Sequence, residues 1–196
     1  DFDRLAKVAG TATVGLNEAL DEAILTHPLK EQREVSANYM QIGCGVMGLG
    51  SSFIKLGVKY GDPESIRLVG SIMETIRDNV IYQSTELAKK KGSYPKYNYD
   101  KVSNSTYFKS LPTFLQKKIK KDGLANSTFL SVAPAGTISL LADVTNGLEP
   151  LFALSYDRTT KSLGATERVY KVYPKEIKEL MDVLNIKNEQ DLPEYC

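Results

Sequence analysis

The sequence predicts a helix-rich α/β fold, and three observations carry that prediction. Apolar residues recur at helical spacing in several stretches. One apolar run, "STFLSVAP", has the length and composition of a buried strand and leads directly into a helix start. Near the C-terminal end, "EPLFALSYDR" and "ERVYKVYP" are rich in the aromatic and β-branched residues that favour strands.

Taken in order, residues 4 to 25 place Leu5, Val8, Ala9, Ala12, Leu16, Leu20 and Ile24 on one helical stripe, weakened by Gly10 and Gly15 and stopped near Pro28. Residues 26 to 41, "THPLKEQREVSANYMQ", are polar and carry no period, so an irregular segment is expected. "SSFIKLGVKYG" suits a short packed helix. Asp62-Pro63-Glu64 is a helix start, with a capping acid, proline at the first helical position and a second acid in the first turn. Ile66, Val69, Ile72, Met73, Ile76 and Val80 then share one face, while Lys89, Lys90, Lys91 and Gly92 mark a solvated C-terminal end. The tyrosine-bearing "GSYPKYNYDKVSNSTY" is expected to be a surface connection, and "LPTFLQKKIKKDG" a short helix ending at Gly123. "AGTISLLADV" continues the buried strand as a helix, and Pro174 opens the last one, "PKEIKELMDVL".

The bulk numbers narrow the function. At 196 residues and 42% hydrophobic, the chain can bury a core as one domain or a large part of one. With 25 Lys+Arg against 24 Asp+Glu, no global field favours nucleic acid or a membrane surface, so neither partner is expected. No apolar run approaches the roughly 18 residues of a membrane helix, and no secretory signal opens the chain. Two cysteines, Cys44 and Cys196, offer no disulfide framework and no metal-ligand spacing, which makes a cytoplasmic protein the expectation. Asp1 already begins a helix and Cys196 follows "DLPEY" without a polar tail, so the chain reads as a segment of a longer one.

"QIGCGVMGLG" contains Gly43-x-Gly45-x-x-Gly48, the spacing of a dinucleotide-binding turn. That turn works only after a buried strand and inside a β-α-β unit. No strand precedes Gly43, and Asp62 starts another helix where the second strand belongs. An NAD(P)-dependent dehydrogenase is therefore a secondary reading, and close packing of a loop against a helix is the simpler use of these glycines. Cys44 reads as a small core side chain and His27, beside Pro28, as a loop residue.

A better ligand candidate is "SVAPAGTISLLADVTNGLEP". An apolar strand running into Pro134 and turning into a helix gathers backbone N–H groups at a helix N-terminus, where about half a positive charge favours an anion. Gly136 permits close approach, and Thr137 and Ser139 add hydroxyl donors. The competing reading is a self-capped helix in which Thr137 serves its own backbone. No lysine of the Walker type follows, which excludes the common nucleotide triphosphate loop. A third possibility is a helical interaction module, without a ligand, that uses the helix over 63 to 91.

"NSTFLSVAPAGTISLLADVTNGLEPLFALSYDR" closely resembles the large (catalytic) subunit of ribonucleotide reductase, whose pattern runs N-S-x-x-x-x-x-A-P-T-G-T-I-S and then G-I-E-P-x-F-A-x-x-Y. "IGCGVMGLGSSFIKLGVKYGDPES" resembles a second stretch of that family, I-G-x-G-x-M-G-L-A. The resemblance implies a partial segment of a ten-stranded α/β barrel, with residues 1 to 196 as one partial domain from its C-terminal part. It implies thiyl-radical reduction of ribonucleotides to deoxyribonucleotides, in deoxyribonucleotide biosynthesis for DNA replication. It assigns Ala133, Pro134, Ala135, Gly136, Thr137, Ile138 and Ser139 to the loop that holds the substrate's phosphates. Asn126 and Ser127 match residues just upstream, and Glu149 and Pro150 match the family's G-I-E-P.

No catalytic residue and no metal ligand fall on this stretch, because the radical cysteine, its partners and the reducing cysteine pair lie elsewhere in the family. The isolated chain is expected to be inactive. The wording is most like the adenosylcobalamin-dependent branch, with a di-metal radical subunit as the alternative cofactor source; neither is expected to bind this segment. Implied partners are a ribonucleoside di- or triphosphate, the remainder of the catalytic chain, and a small radical subunit or a second copy. Three positions depart from the pattern: Ala135 for threonine, Asp143 for glycine and Ala125 for arginine.

Overall fold

The helix starts at Asp1, Asn98 and Ser105 follow side-chain caps written into the sequence. In the computed structural model, which describes residues 1 to 160 and 168 to 196, Asp1 Oδ1 accepts the Arg4 amide at 2.9 Å and opens α1 (Phe2–Thr26). Its deepest residues are Ala9, Thr13 and Asn17; only Ala9 belongs to the expected stripe, whose Val8 stays exposed, and the polar pair is accommodated by bonds from each to the carbonyl one turn back. The polar segment after it is helical too: α2 (Lys30–Tyr39) buries no residue and shows no apolar period. Good helix formers such as Lys30, Glu31, Gln32, Arg33 and Glu34 sustain it, and packing on α1 with a 2.8 Å bond from Arg33 Nη1 to the His27 carbonyl holds it in place.

Two more short helices stand in the tyrosine-rich stretch where a loop was expected. Asn98 Oδ1 accepts the Lys101 amide at 3.0 Å to start α5 (Tyr99–Asn104), and Ser105 Oγ accepts the Phe108 amide at 3.1 Å to start α6 (Thr106–Ser110). Each is too short to display periodicity; the capping residues were the legible signal. The helices expected over "SSFIKLGVKYG", after Pro63 and before Gly123 are present as α3 (Leu49–Leu56), α4 (Pro63–Lys91) and α7 (Thr113–Asp122).

The chain divides into two compact units. The first comprises residues 1 to 45 and 70 to 131. Ile76, Val80 and Ile81 of α4 are buried there, as are Leu115 and Ile119 of α7. Lys118 of α7 bonds Glu86 of α4 and Asp122, and its ammonium lies over the Tyr82 ring. The run "STFLSVAP", expected as a buried strand, buries only Phe129, leaves Val132 64% exposed and joins no ladder among the described residues. Its one bridge pairs Leu130 with Cys44 in parallel, through Cys44 N–H to the Phe129 carbonyl at 2.8 Å and Ser131 N–H to the Cys44 carbonyl at 3.2 Å. The first two glycines of the Gly43-x-Gly45-x-x-Gly48 motif serve this approach: a methyl group on Gly45 would lie 2.8 Å from the Ser131 carbonyl oxygen. Helices flank the motif on both sides, α2 before it and α3 after.

The second unit comprises residues 46 to 69 and 132 to 196. It holds α3, α8 (Gly136–Ala142), an antiparallel hairpin of β1 (Tyr156–Thr160) and β2 (Arg168–Val172), and α9 (Lys175–Leu184). The strand expected over 149 to 158 is thus realised only at its end; Leu151 and Leu154 instead pack on a cluster of Ile54, Ile177 and Met181. Glu167, the first residue of the other expected strand, lies outside the described residues.

Gly50 sits on α3 with the 149–150 backbone across it. A methyl group there would meet the Glu149 carbonyl oxygen at 2.7 Å and the Pro150 Cα at 3.1 Å, and neither is a side chain that can swing away. Alanine would gain about 1 kcal/mol of helix propensity, but displacing backbone in a packed region costs about 1–3 kcal/mol. Gly50→Ala is therefore expected to lower the thermal midpoint by several degrees. A midpoint equal to or above wild type would show that this contact is slack.

Candidate functional site: the loop that opens α8

Residues 133 to 139 form one continuous turn into α8. Ala133, Pro134, Gly136, Thr137 and Ile138 are exposed, Ala135 is half-buried and Ser139 is buried. Gly136 has φ 44 and no neighbouring atom within 4 Å of where a Cβ would stand, so the turn is open on that side. No lysine or arginine occurs between Ser131 and Ser155, so the turn itself offers backbone amides and no cationic side chain.

Not all of those amides are free. Asn146 Oδ1 accepts the Ala135 amide at 2.6 Å and the Gly136 amide at 3.0 Å. The Ile138 amide bonds the Ala135 carbonyl at 3.0 Å, and Ser139 Oγ donates to the Gly136 carbonyl at 2.7 Å. Ser139 thus spends its hydroxyl inside the turn, and the expected pair of hydroxyl donors reduces to Thr137. Thr137 does not cap its own helix either; the cap comes from Asn146, ten residues downstream. Sequence reading missed Asn146. The available signal was an Asn-Gly pair just past a helix, where an asparagine amide often bonds nearby backbone.

The segment that carries Asn146 is itself fixed. Thr145 N–H donates to Ser51 Oγ at 2.9 Å and Ser51 N–H donates to Thr145 Oγ1 at 3.2 Å, a reciprocal pair with α3. The Glu149 amide closes a turn on the Asn146 carbonyl at 3.0 Å. Glu149 Oε2 is buried without a hydrogen-bond partner among the described residues, and a Cβ on Gly147 would stand 3.1 Å from it. Asp143 ends α8 with φ 54, the left-handed conformation that glycine adopts most easily and that Asp and Asn tolerate best among other residues. That accounts physically for glycine in the pattern and for aspartate as its replacement.

Asn126 sits in the first unit as a structural hub. It is 0% exposed; its Nδ2 donates to Asn17 Oδ1 and to the Met40 carbonyl, both at 2.9 Å, and its Oδ1 accepts from Ser84 Oγ at 2.9 Å. Ala125, at the pattern's arginine position, is buried and donates its amide to the Ser84 carbonyl. Burial pushes the Cys44 thiol up from its ordinary value, which favours the protonated form expected of a small core side chain. Among the described residues no group of three or more His, Cys, Asp or Glu could hold a metal ion, and no helix is long and apolar enough to cross a membrane.

Fold and site together define a helix-rich α/β segment built around an amide-lined turn at a helix start. The model of the ribonucleotide reductase barrel domain matches residues 1 to 192, and the chain belongs to that family. Its relatives include the vitamin B12-dependent ribonucleoside-diphosphate reductase of Mycobacterium tuberculosis (strain CDC 1551 / Oshkosh), 34% identical over 158 residues, which cover 81% of this chain and 20% of that protein. The protein of the same name from Thermoplasma acidophilum is 31% identical over 160 residues, covering 81% and 18% respectively. The ribonucleoside-diphosphate reductase large subunit of Arabidopsis thaliana is 31% identical over 172 residues, covering 83% and 21%. The chain spans about a fifth of the length of these relatives.

Proposed function

We propose that this chain is one partial domain, from the C-terminal part of the catalytic barrel, of a ribonucleoside-diphosphate reductase, and that Ala133, Pro134, Ala135, Gly136, Thr137, Ile138 and Ser139 hold the substrate's phosphates. The observation that carries this reading is family membership across residues 1 to 192, joined to an open, amide-lined turn at the position the family pattern assigns to phosphate. Diphosphate is preferred over triphosphate because the relatives above are named as diphosphate reductases. Asn146 orders the turn by holding two amides, which leaves the Thr137 amide and hydroxyl as the exposed donors.

Reduction of ribonucleotide to deoxyribonucleotide belongs to the full-length protein, whose other segments supply the radical cysteine. Adenosylcobalamin is the proposed radical source, supported by the B12-dependent relatives from M. tuberculosis and T. acidophilum; a small radical subunit is the second reading, as the Arabidopsis large subunit carries no such label. No described residue of this chain is assigned to the corrin. A cytoplasmic location follows from the same reading.

The test is direct. Full-length protein containing this segment is expected to convert ribonucleoside diphosphates to deoxyribonucleoside diphosphates when adenosylcobalamin is supplied. Turnover only with an added radical subunit would replace the cofactor, and no turnover with either would overturn the reductase assignment. For the loop, pyrophosphate added to the 15N-labelled chain is expected to shift the Thr137 amide resonance saturably. Shifts confined to surface lysines would remove the phosphate assignment while leaving family membership intact.

A further inference from the structure

We propose that a cavity in the first unit binds a small, neutral aromatic molecule carrying one hydroxyl group, with Ser127 Oγ as its hydrogen-bond partner. The cavity measures about 260 Å³ and lies among α5, α6, α7 and the run from Leu124 to Phe129. Its lining residues fall between 94 and 129, so the first unit forms it alone. It uses none of the residues assigned to phosphate.

The walls select the body of the ligand. Phe108, Leu111, Ile119, Leu124 and Phe129 line the cavity and each is buried, so its floor is apolar core that the chain does not fill. Protein interiors pack with few voids larger than a water molecule, and an apolar cavity of about 150 Å³ is already enough to take a benzene ring. Tyr94 and Tyr107 join Phe108 and Phe129 as aromatic members of the wall. Aromatic rings favour edge-to-face and offset contacts with one another. Phe108 makes one such contact with Tyr99, at 6.1 Å and 90°. A planar ring suits these walls better than an alkyl chain does.

Ser127 selects the polar atom. It forms part of the wall, and its Oγ is buried without a hydrogen-bond partner among the described residues. Buried hydroxyls in native proteins are normally paired. The backbone here cannot yield to relieve it. Ser127 N–H donates to the Tyr39 carbonyl at 3.2 Å, and Asn126 before it is held by Asn17, Ser84 and Met40. Rotation of one side chain is all that pairing with a ligand requires. Water is a poor substitute, since an ordered water needs two to four polar partners. The neighbouring Ser105 hydroxyl is already spent, donating to the Val102 carbonyl at 2.7 Å and accepting the Phe108 amide at 3.1 Å.

The remaining groups set the charge. Burial pushes the Tyr94 and Tyr107 hydroxyls up from their ordinary value, so both stay protonated at neutral pH. No carboxylate lines the cavity, which leaves a cation without a counterpart. Lys101 is the charged member of the lining and is exposed, with its ammonium free to remain in water. An ion entering the cavity would give up hydration to walls that return little of it.

The experiment uses the 15N-labelled 196-residue chain and three probes of similar size: phenol, toluene and benzoate. Phenol and toluene are expected to shift the amide resonances of Phe108, Leu124 and Phe129 saturably, with benzoate at least about 10-fold weaker because of its charge. Ser127→Ala removes a hydroxyl that bonds nothing in the chain, so its thermal midpoint is expected to stay at or above that of wild type. The same variant is expected to weaken phenol about 5-fold, the effect of one neutral hydrogen bond, and to leave toluene unchanged. The response of Thr137 to pyrophosphate stays as in wild type, which keeps this test apart from that of the phosphate turn. No saturation by phenol, benzoate binding as tightly as phenol, or full phenol affinity in Ser127→Ala would each overturn the proposal. If that variant does not fold, the comparison of probes on the wild-type chain decides alone.

Discussion

Replacing Asn126 by alanine is expected to destabilise the chain by about 3 kcal/mol, lowering the thermal midpoint by roughly 6–12 °C. The side chain is fully buried and bonds three elements at once: Asn17 of α1, Ser84 of α4 and the Met40 carbonyl that ends α2. Truncation leaves the Asn17 amide, the Ser84 hydroxyl and that carbonyl short of partners in a place water does not reach. Each orphaned group costs about 1–3 kcal/mol, which outweighs the side-chain entropy released. Met40 has φ 47, a left-handed geometry uncommon for its residue type, so its carbonyl depends on the Asn126 bond to hold that turn. Urea unfolding followed by circular dichroism measures the loss. Asn98→Ala is a suitable companion, because it removes an exposed helix cap worth only about 1 kcal/mol. If the two variants lose the same stability, Asn126 is not the hub described above.

The second large effect falls on the loop rather than on the fold. Asn146→Asp is expected to keep or raise the melting midpoint yet weaken pyrophosphate binding at least about 10-fold. Aspartate has the shape of asparagine and an acceptor at the same place, so the bonds to the Ala135 and Gly136 amides survive and become charge-assisted at a helix start. A phosphate group drawn to the same turn then meets a negative charge. Two unit charges about 4 Å apart interact by about 1 kcal/mol even at the dielectric of water, and a dianion doubles that. Asn146→Ala should behave differently, losing about 1 kcal/mol of stability together with affinity. Calorimetric titration with pyrophosphate and a thermal melt on each variant separate the cases. Wild-type affinity in Asn146→Asp would mean that phosphate does not bind at this turn.

Local signals were legible wherever a residue acts on its own neighbours. Asp62-Pro63-Glu64 announced α4, Gly123 closed α7, and Pro174 opened α9, because caps and proline work within a turn of the backbone. The same logic rejected a dinucleotide turn at Gly43, since the required flanking strands are a local property. α2 escaped because its stability comes from helix propensity and from α1, not from an apolar stripe. α5 and α6 escaped because five or six residues cannot display a period of 3.6. The run "STFLSVAP" is not the buried strand that its apolar content suggests: only Phe129 is buried and Val132 is 64% exposed, while the bridge of Leu130 to Cys44 spans 86 residues of chain, a distance that no periodicity encodes.

The sequence by itself determined the helix-rich α/β character, the main helix starts and the family to which the chain belongs. These depend on patterns that lie side by side in the chain. Only the tertiary structure decided how the buried polar groups are satisfied: Asn126 joining α1 to α4, Asn146 holding two loop amides, Glu149 Oε2 buried without a partner among the described residues. A hydrogen bond is set by distances of about 3 Å between atoms, and residues 109 apart in sequence, such as Asn17 and Asn126, reach that distance only when the whole unit has packed.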